Sequence, residues 1–164
     1  MKLTPIYKGI ITGVSMVAIT LLFYYTKITA TSTLHFIPYI IYMGGVIWTV
    51  IDYARSRDFT GGNFAEHFGQ GFRCFIIVTL IMVAFTAIFS MMHPEFAEDA
   101  AKAYKEQLIK EKSTLPAQID EQVAKVKKQY TTAVVSVTIF RYLILGALFS
   151  AAASGGLILI RRRV

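Results

Sequence analysis

At 164 residues, 55% of them hydrophobic and 16% charged, with a mean hydropathy of +0.53, the chain has the length of about one domain but fewer charges than the roughly 25% of a soluble one. A soluble protein this small could not hide so much apolar surface in a single core, so lipid must cover the rest. The net charge of +7 then reflects membrane orientation and attraction to anionic lipid. Nucleic acid is excluded as a partner, because no basic face with interleaved aromatics lies outside the apolar stretches.

Those stretches run over residues 9–25, 36–51, 75–92 and 133–160. A hydrocarbon core of about 30 Å needs about 20 helical residues, with about 17 as the working minimum. The first two stretches reach that length by extending through Tyr7, Lys27, Leu34 and Tyr53. In lipid the backbone must satisfy its own hydrogen bonds, so unbroken apolar runs read as helices. The expectation is an all-α, polytopic membrane protein with spans over about 9–27, 34–53, 72–92 and 133–160. No small-residue cleavage site follows Tyr24, Tyr25 and Lys27, so the first span does not read as a signal peptide.

An even number of spans puts both ends on one side. Arg55, Arg57, Arg73, Arg161, Arg162 and Arg163 fall on that side with Lys2 and Lys8, against the acids Asp52, Asp58 and Glu66. The opposite side also carries eight lysines, but seven of them lie within residues 94–132, where seven acids match them. The raw count therefore ties, and the positive-inside rule is read from the short flanks, which favour N-in and C-in. Cys74 is the single cysteine, so no intramolecular disulfide is possible.

The first connection is short and Thr-rich. The second, 54–71, is expected in the cytoplasm with a turn at Gly61–Gly62–Asn63, after which Phe64, Phe68 and Phe72 recur every four residues. Three rings on one helical face suggest an amphipathic segment on the membrane surface; the plain alternative is a helical lead-in packed on its neighbours. The third connection, 94–132, is the only sizeable hydrophilic part. Pro94 suits a first helical turn, and Phe96, Ala100, Tyr104 and Leu108 repeat at four-residue steps. Ser113, Thr114 and Pro116 break the pattern. Ile119, Val123, Val126 and Tyr130 then form a second stripe that leads directly into the fourth span. This predicts a charged helical hairpin on the outer face, whose stripes either pack on each other or dock another protein.

Ile51–Asp52–Tyr53–Ala54–Arg55–Ser56–Arg57–Asp58 and Asn63–Phe64–Ala65–Glu66–His67–Phe68–Gly69–Gln70–Gly71–Phe72 carry a family likeness, which Pro94–Glu95–Phe96, the Lys/Glu hairpin and the basic C-terminal end complete. Over nearly its whole length the chain resembles a family of bacterial four-helix membrane proteins, a domain of unknown function (number forty-one ninety-nine). The resemblance implies a protein of the Gram-negative inner membrane, with no established activity to carry over. Some members are encoded near polyprenyl-phosphate glycosyltransferases, which makes such an enzyme a partner the resemblance points to.

Ionisable groups within a membrane call for a functional hypothesis. Arg141 is the only charge inside an apolar run. Counting back about 20 residues from Arg161 places it at the outer interface, where it can snorkel to headgroups, meet an acid of the hairpin, or bind a lipid phosphate or a partner. Arg55, Arg57, Phe64, Phe68 and Phe72 are the other candidate interfacial contacts with lipid or a partner. His35 and His93 fall at outer helix ends, the latter after Met91 and Met92, but without two-ligand spacing for a metal. Glu66 and His67 point about 100° apart on a helix and so make a poor acid/base pair. No nucleophile with a partner, phosphate loop or paired intramembrane carboxylates is present, so neither an enzyme nor a cofactor is expected.

Small residues mark helix packing. Gly9 and Gly13 form one small-xxx-small pair; in the fourth span Ala147, Ala151 and Gly155 stack at four-residue intervals, with Gly146, Ser150 and Ser154 beside them. Such faces let backbones approach where lipid supplies no hydrophobic drive, inside the chain or between chains. Two functions survive. The first is a non-catalytic accessory or scaffold subunit that binds membrane partners, or itself, through its helices and hairpin. The alternative is a small transporter or channel acting as an oligomer, although transport calls for polar groups or broken helices at mid-membrane.

Overall fold

The computed structural model describes residues 3–26, 36–55, 63–111 and 116–161. These form α1 (Pro5–Tyr25), α2 (Ile37–Ala54), α3 (Phe64–Met92), α4 (Glu95–Glu111) and α5 (Pro116–Arg161), with no strand among the described residues. Prolines set three of the starts. Pro5 and Pro38 occupy the first turns of α1 and α2 and Pro116 opens α5, positions where the missing N–H is not needed. Pro5 is also why α1 begins four residues ahead of the expected start at Gly9. The start of α3 is capped instead: Asn63 Oδ1 accepts the Glu66 amide at 3.1 Å, which satisfies one orphan donor of the first turn.

Four helices are long and apolar enough to cross a membrane: Pro5–Tyr25, Ile37–Ala54, Phe64–Met92 and Gln118–Ile160. Two boundaries differ from expectation. The Phe64–Phe72 segment is not a separate surface helix; it forms the first turns of α3. Nothing between Phe72 and Phe75 breaks a helix, so the lead-in merges with the span. The second limb of the hairpin and the fourth span are likewise one helix of 46 residues.

The chain divides into two compact units, Met1–Met82 with Phe140–Val164, and Val83–Ile139. In the first, Met16, Tyr42, Val46, Val50, Cys74 and Val78 are fully buried, while Ile6, Val14, Leu22, Ile40, Leu80 and Leu148 are exposed. In water those exposed apolar side chains would carry a free-energy cost, which a hydrocarbon solvent removes.

Glycines set the helix separations in this unit. A Cβ on Gly9 would lie 2.8 Å from the Cys74 carbonyl oxygen, and one on Gly13 would lie 2.8 Å from Ile81 Cδ1, so this pair joins α1 to α3. A Cβ on Gly45 would overlap Thr12 of α1, and one on Gly71 would stand 2.9 Å from Ser150 Cβ of α5. The fourth span departs from the expected face. Gly155 faces open space within 4 Å, and Ala147 and Ala151 are only half-buried. Tyr142, Gly146, Ser150 and Ser154 form the buried face, one residue earlier in register. A Cβ on Gly146 would stand 2.6 Å from the Phe75 ring and overlap the Tyr42 hydroxyl.

Gly146→Leu should therefore overpack the junction and cost about 1–3 kcal/mol or more. Gly155→Leu should leave the thermal midpoint of the detergent-solubilised monomer within error of wild type. Equal loss from both in a thermal-unfolding assay would show that the close face is not the one containing Gly146.

Candidate functional site

Three groups of polar and aromatic side chains stand out. The first is inside the bundle. Lys8, in the first turn of α1, is buried to 3% exposure and donates to Asp52 Oδ2 near the end of α2, whose side chain is 47% exposed. Its ammonium also lies 5.1 Å from the centroid of the Trp48 ring, a cation–π distance. A lysine this close to a helix end would ordinarily reach outward to water. Here it turns inward because Asp52, one helical turn before the α2 cap at Arg55, supplies the countercharge. Sequence reasoning counted both residues as flanking charges and missed the pair, since nothing local links positions 44 residues apart.

The same unit also buries Thr12, Thr49, Thr79, Ser150 and Ser154. Their hydroxyls are satisfied at once. Thr12 donates to Lys8 O at 2.8 Å, Thr49 to Gly45 O at 2.8 Å, Thr79 to Phe75 O at 2.8 Å and Ser154 to Ser150 O at 2.7 Å. These bonds return to the residue four before. Ser150 instead crosses to α3 and donates to Phe68 O at 3.1 Å. Tyr42 crosses from α2 to α5 and donates to Tyr142 O at 2.9 Å. Cys74 is buried with its sulfur 3.8 Å from Gly45 O.

The second group is at Arg141. Its guanidinium carbon lies 5.8 Å from the Tyr39 ring centroid and 5.7 Å from that of Tyr142. The two rings stack with centroids 6.1 Å apart. Arg141 is exposed, so the aromatic pair positions the cation and leaves its donors to the surroundings. On the other side of the sequence map, Arg55 is the exposed cap of α2, while Arg57 lies outside the described residues. Phe64, Phe68 and Phe72 form a ladder with centroid spacings of 5.9 and 6.3 Å, ending edge-on against Phe75 at 5.0 Å. Phe64 and Phe72 are about half exposed at 45% and 46%. Glu66 and His67 separate as helical geometry requires: Glu66 is exposed, while His67 is buried edge-on to Tyr53 at 5.6 Å.

The third group belongs to the Val83–Ile139 unit, where α4 runs beside the first part of α5. Lys127 Nζ donates to Glu98 Oε1 at 2.8 Å, Lys105 Nζ to Asp120 Oδ1 at 2.8 Å, and the Tyr104 hydroxyl to Gln122 Oε1 at 3.3 Å. From Glu98 to Lys105 is seven residues forward, and from Lys127 to Asp120 is seven back. Such a constant sum of positions defines an antiparallel hairpin. Between the limbs Ala101, Leu108 and Ile119 are buried, so Leu108 and Ile119 of the two stripes turn inward, with Ala101 rather than Ala100 beside them. His93 Nδ1 lies 2.6 Å from Glu95 Oε1 in the turn before α4, and the His93 ring packs 4.5 Å from Phe89. His35 falls outside the described residues. Glu95's own amide, then His93, hold its carboxyl below the ordinary glutamate range. Lys127 does the same for Glu98.

A family described as Protein of unknown function (DUF4199) matches residues 7–156. No curated protein and no solved structure matches the chain.

Two outcomes follow from the ion pairs. Asp52→Asn strands a buried ammonium, whereas Lys8→Met leaves a half-exposed carboxylate that water can reach. Asp52→Asn should therefore cost the more, up to about 3 kcal/mol, the low end for breaking a buried pair, and Lys8→Met less than about 1 kcal/mol. Thermal midpoints in one detergent would check the order, and a reversed order would refute the asymmetry. For Glu98 the folded pKa is lowered, so its stabilisation is present above the ordinary value of about 4.3 and is lost as pH falls through the lowered one. In Lys127→Gln the Glu98 midpoint, followed by carboxyl carbon NMR, should rise toward that ordinary value.

Proposed function

We propose, for a chain that belongs to this family of proteins of unknown function, that it is a non-catalytic accessory or scaffold subunit of the bacterial inner membrane. In this reading both termini are cytoplasmic, and the α4–α5 hairpin is the outer element that docks another membrane protein. The observation that carries the reading is the hairpin itself. Joining two spans takes a handful of residues, yet this connection spends two limbs, a buried apolar seam and two cross-limb ion pairs on holding one geometry. A preformed surface loses less conformational entropy on association than a floppy loop.

The charges suit that role. Seven lysines and seven acids cancel within 94–132, so the surface is poorly suited to simple attraction by anionic lipid. Mixed charges select an oppositely patterned protein surface, and complementarity of this kind sets specificity and encounter more than raw affinity. The continuous α5 supports the reading further, since a docked partner would grip the same helix that crosses the bilayer. Transport by an oligomer is the second reading, and the buried polar groups argue against it. Thr12, Thr49, Thr79 and Ser154 give their hydroxyls to carbonyls of their own helices, leaving little to replace the hydration of a passing solute.

The test replaces residues 98–128 with a Gly/Ser linker long enough to join the two spans. Membrane insertion should persist while co-purifying chains in mild detergent are lost. Retention of the same partners by the inserted, truncated protein would move the docking surface into the membrane and refute the hairpin's role.

A further inference from the structure

On one side of the bundle, α2 and α5 do not close against each other. Met43, Ile47 and Ile51 on α2 and Phe149, Gly156 and Ile160 on α5 line an open apolar groove of about 320 Å³, within the range of about 300–1,000 Å³ typical of small-molecule sites. It exists because Ala152, Ala153 and Gly156 fill the α5 wall with the smallest side chains. A Cβ on Gly156 would meet nothing within 4 Å.

The length of the groove and the charge at one end identify an occupant. From Phe149 to Ile160 an α-helix rises about 16 Å, close to the roughly 15 Å depth of one leaflet's hydrocarbon. At the Ile51 end, the amide of Arg55 donates to Ile51 O at 3.0 Å, which continues the helical register one turn further. The exposed Arg55 thus follows Ile51 on nearly the same face. The Ile51 end of this leaflet-deep apolar slot therefore carries a basic side chain.

We propose that this groove holds one acyl chain of an anionic glycerophospholipid, whose headgroup phosphate is bound by Arg55. Lipid tails gain nothing from leaving other lipid tails, so the chain is held by shape and the headgroup by charge. The groove provides the first through its small residues, and the guanidinium of Arg55 provides the second through paired donors that match a phosphate. One basic residue near a headgroup is worth about 1 kcal/mol, which corresponds to about a fivefold preference for anionic over zwitterionic lipid.

Native mass spectrometry of the detergent-purified chain, titrated with dioleoyl phosphatidylglycerol or dioleoyl phosphatidylcholine, tests this directly. The wild type should retain one phosphatidylglycerol with about fivefold preference. Gly156→Phe fills the groove from a position with open space around it, so it should fold with an unchanged thermal midpoint and lose most of that bound lipid. Arg55→Gln, at an exposed cap, should keep lipid binding but bring the two lipids toward equal occupancy. Equal binding of both lipids by wild type, or undiminished binding by Gly156→Phe, overturns the proposal, as does selectivity that survives Arg55→Gln. A dimer that Gly156→Phe dissolves would overturn it too, by assigning the groove to a second copy of the chain.

Discussion

Tyr42 is where three helices of the bundle meet. Its hydroxyl donates to Tyr142 O on α5, although that carbonyl already faces the amide of Gly146 in its own helix. A carbonyl oxygen has two lone pairs, but the residue one turn on normally covers the second with its side chain. Gly146 leaves it open, and any Cβ there would meet the Tyr42 hydroxyl and the Phe75 ring. One hydrogen at one position thus lets α2, α3 and α5 share a single junction. Tyr142 and Phe149 extend it, with rings 5.6 and 5.8 Å edge-on from that of Tyr42.

The same device recurs with different chemistry. At Gly9 the α1 backbone comes so near α3 that a Cβ would stand 2.8 Å from the Cys74 carbonyl oxygen, a separation suited to weak Cα–H···O contacts between helices. At Gly71 the gap admits Ser150, which donates to Phe68 O. Gly45 makes room for Thr12, and its carbonyl accepts the Thr49 hydroxyl. In hydrocarbon no water competes for these carbonyls, and an unpaired hydroxyl would cost several kcal/mol. At Gly146 and Gly71 small residue and hydroxyl therefore work together, the first opening access to a backbone acceptor and the second occupying it.

This pairing explains which parts of the fold are legible in sequence. Span number and the hairpin follow from hydropathy and four-residue stripes, which are local properties. Gly9 and Gly13 stand out in sequence because no competing small face adjoins them. In the fourth span two small faces lie about 100° apart on one helix, and size alone does not choose between them. The chosen face is the one whose Ser150 and Ser154 can use a hydrogen bond and whose Gly146 meets a tyrosine from a distant segment. Ala147 and Ala151 offer neither. Lys8 and Asp52 fail for the same reason, since each looks like an ordinary flanking charge until a separate helix brings them together. The start of α3 was readable from the Phe64–Phe68–Phe72 spacing as helix. That it continues into the span follows from the lack of any breaker before Phe75, a negative signal that is easy to pass over.

The hairpin obeys different physics because water, not lipid, surrounds charged residues such as Lys102, which is 74% exposed. An isolated helix the length of α4 is marginal in water, where helices shorter than about 12–15 residues do not persist and longer ones gain most of their stability from packing. Ala101, Leu108 and Ile119 provide that packing, but three small-to-medium side chains bury little area. The cross-limb pairs at Glu98–Lys127 and Lys105–Asp120 sit on the exposed flanks of this seam, where each is worth at most about 1 kcal/mol. Their larger effect is on register. Sliding one limb by a turn would separate both pairs together, so the charges select one alignment of limbs that the thin apolar seam alone would leave degenerate. A surface whose register is fixed by charge presents its remaining lysines and acids in one constant pattern, which is the property a partner needs in order to recognise it.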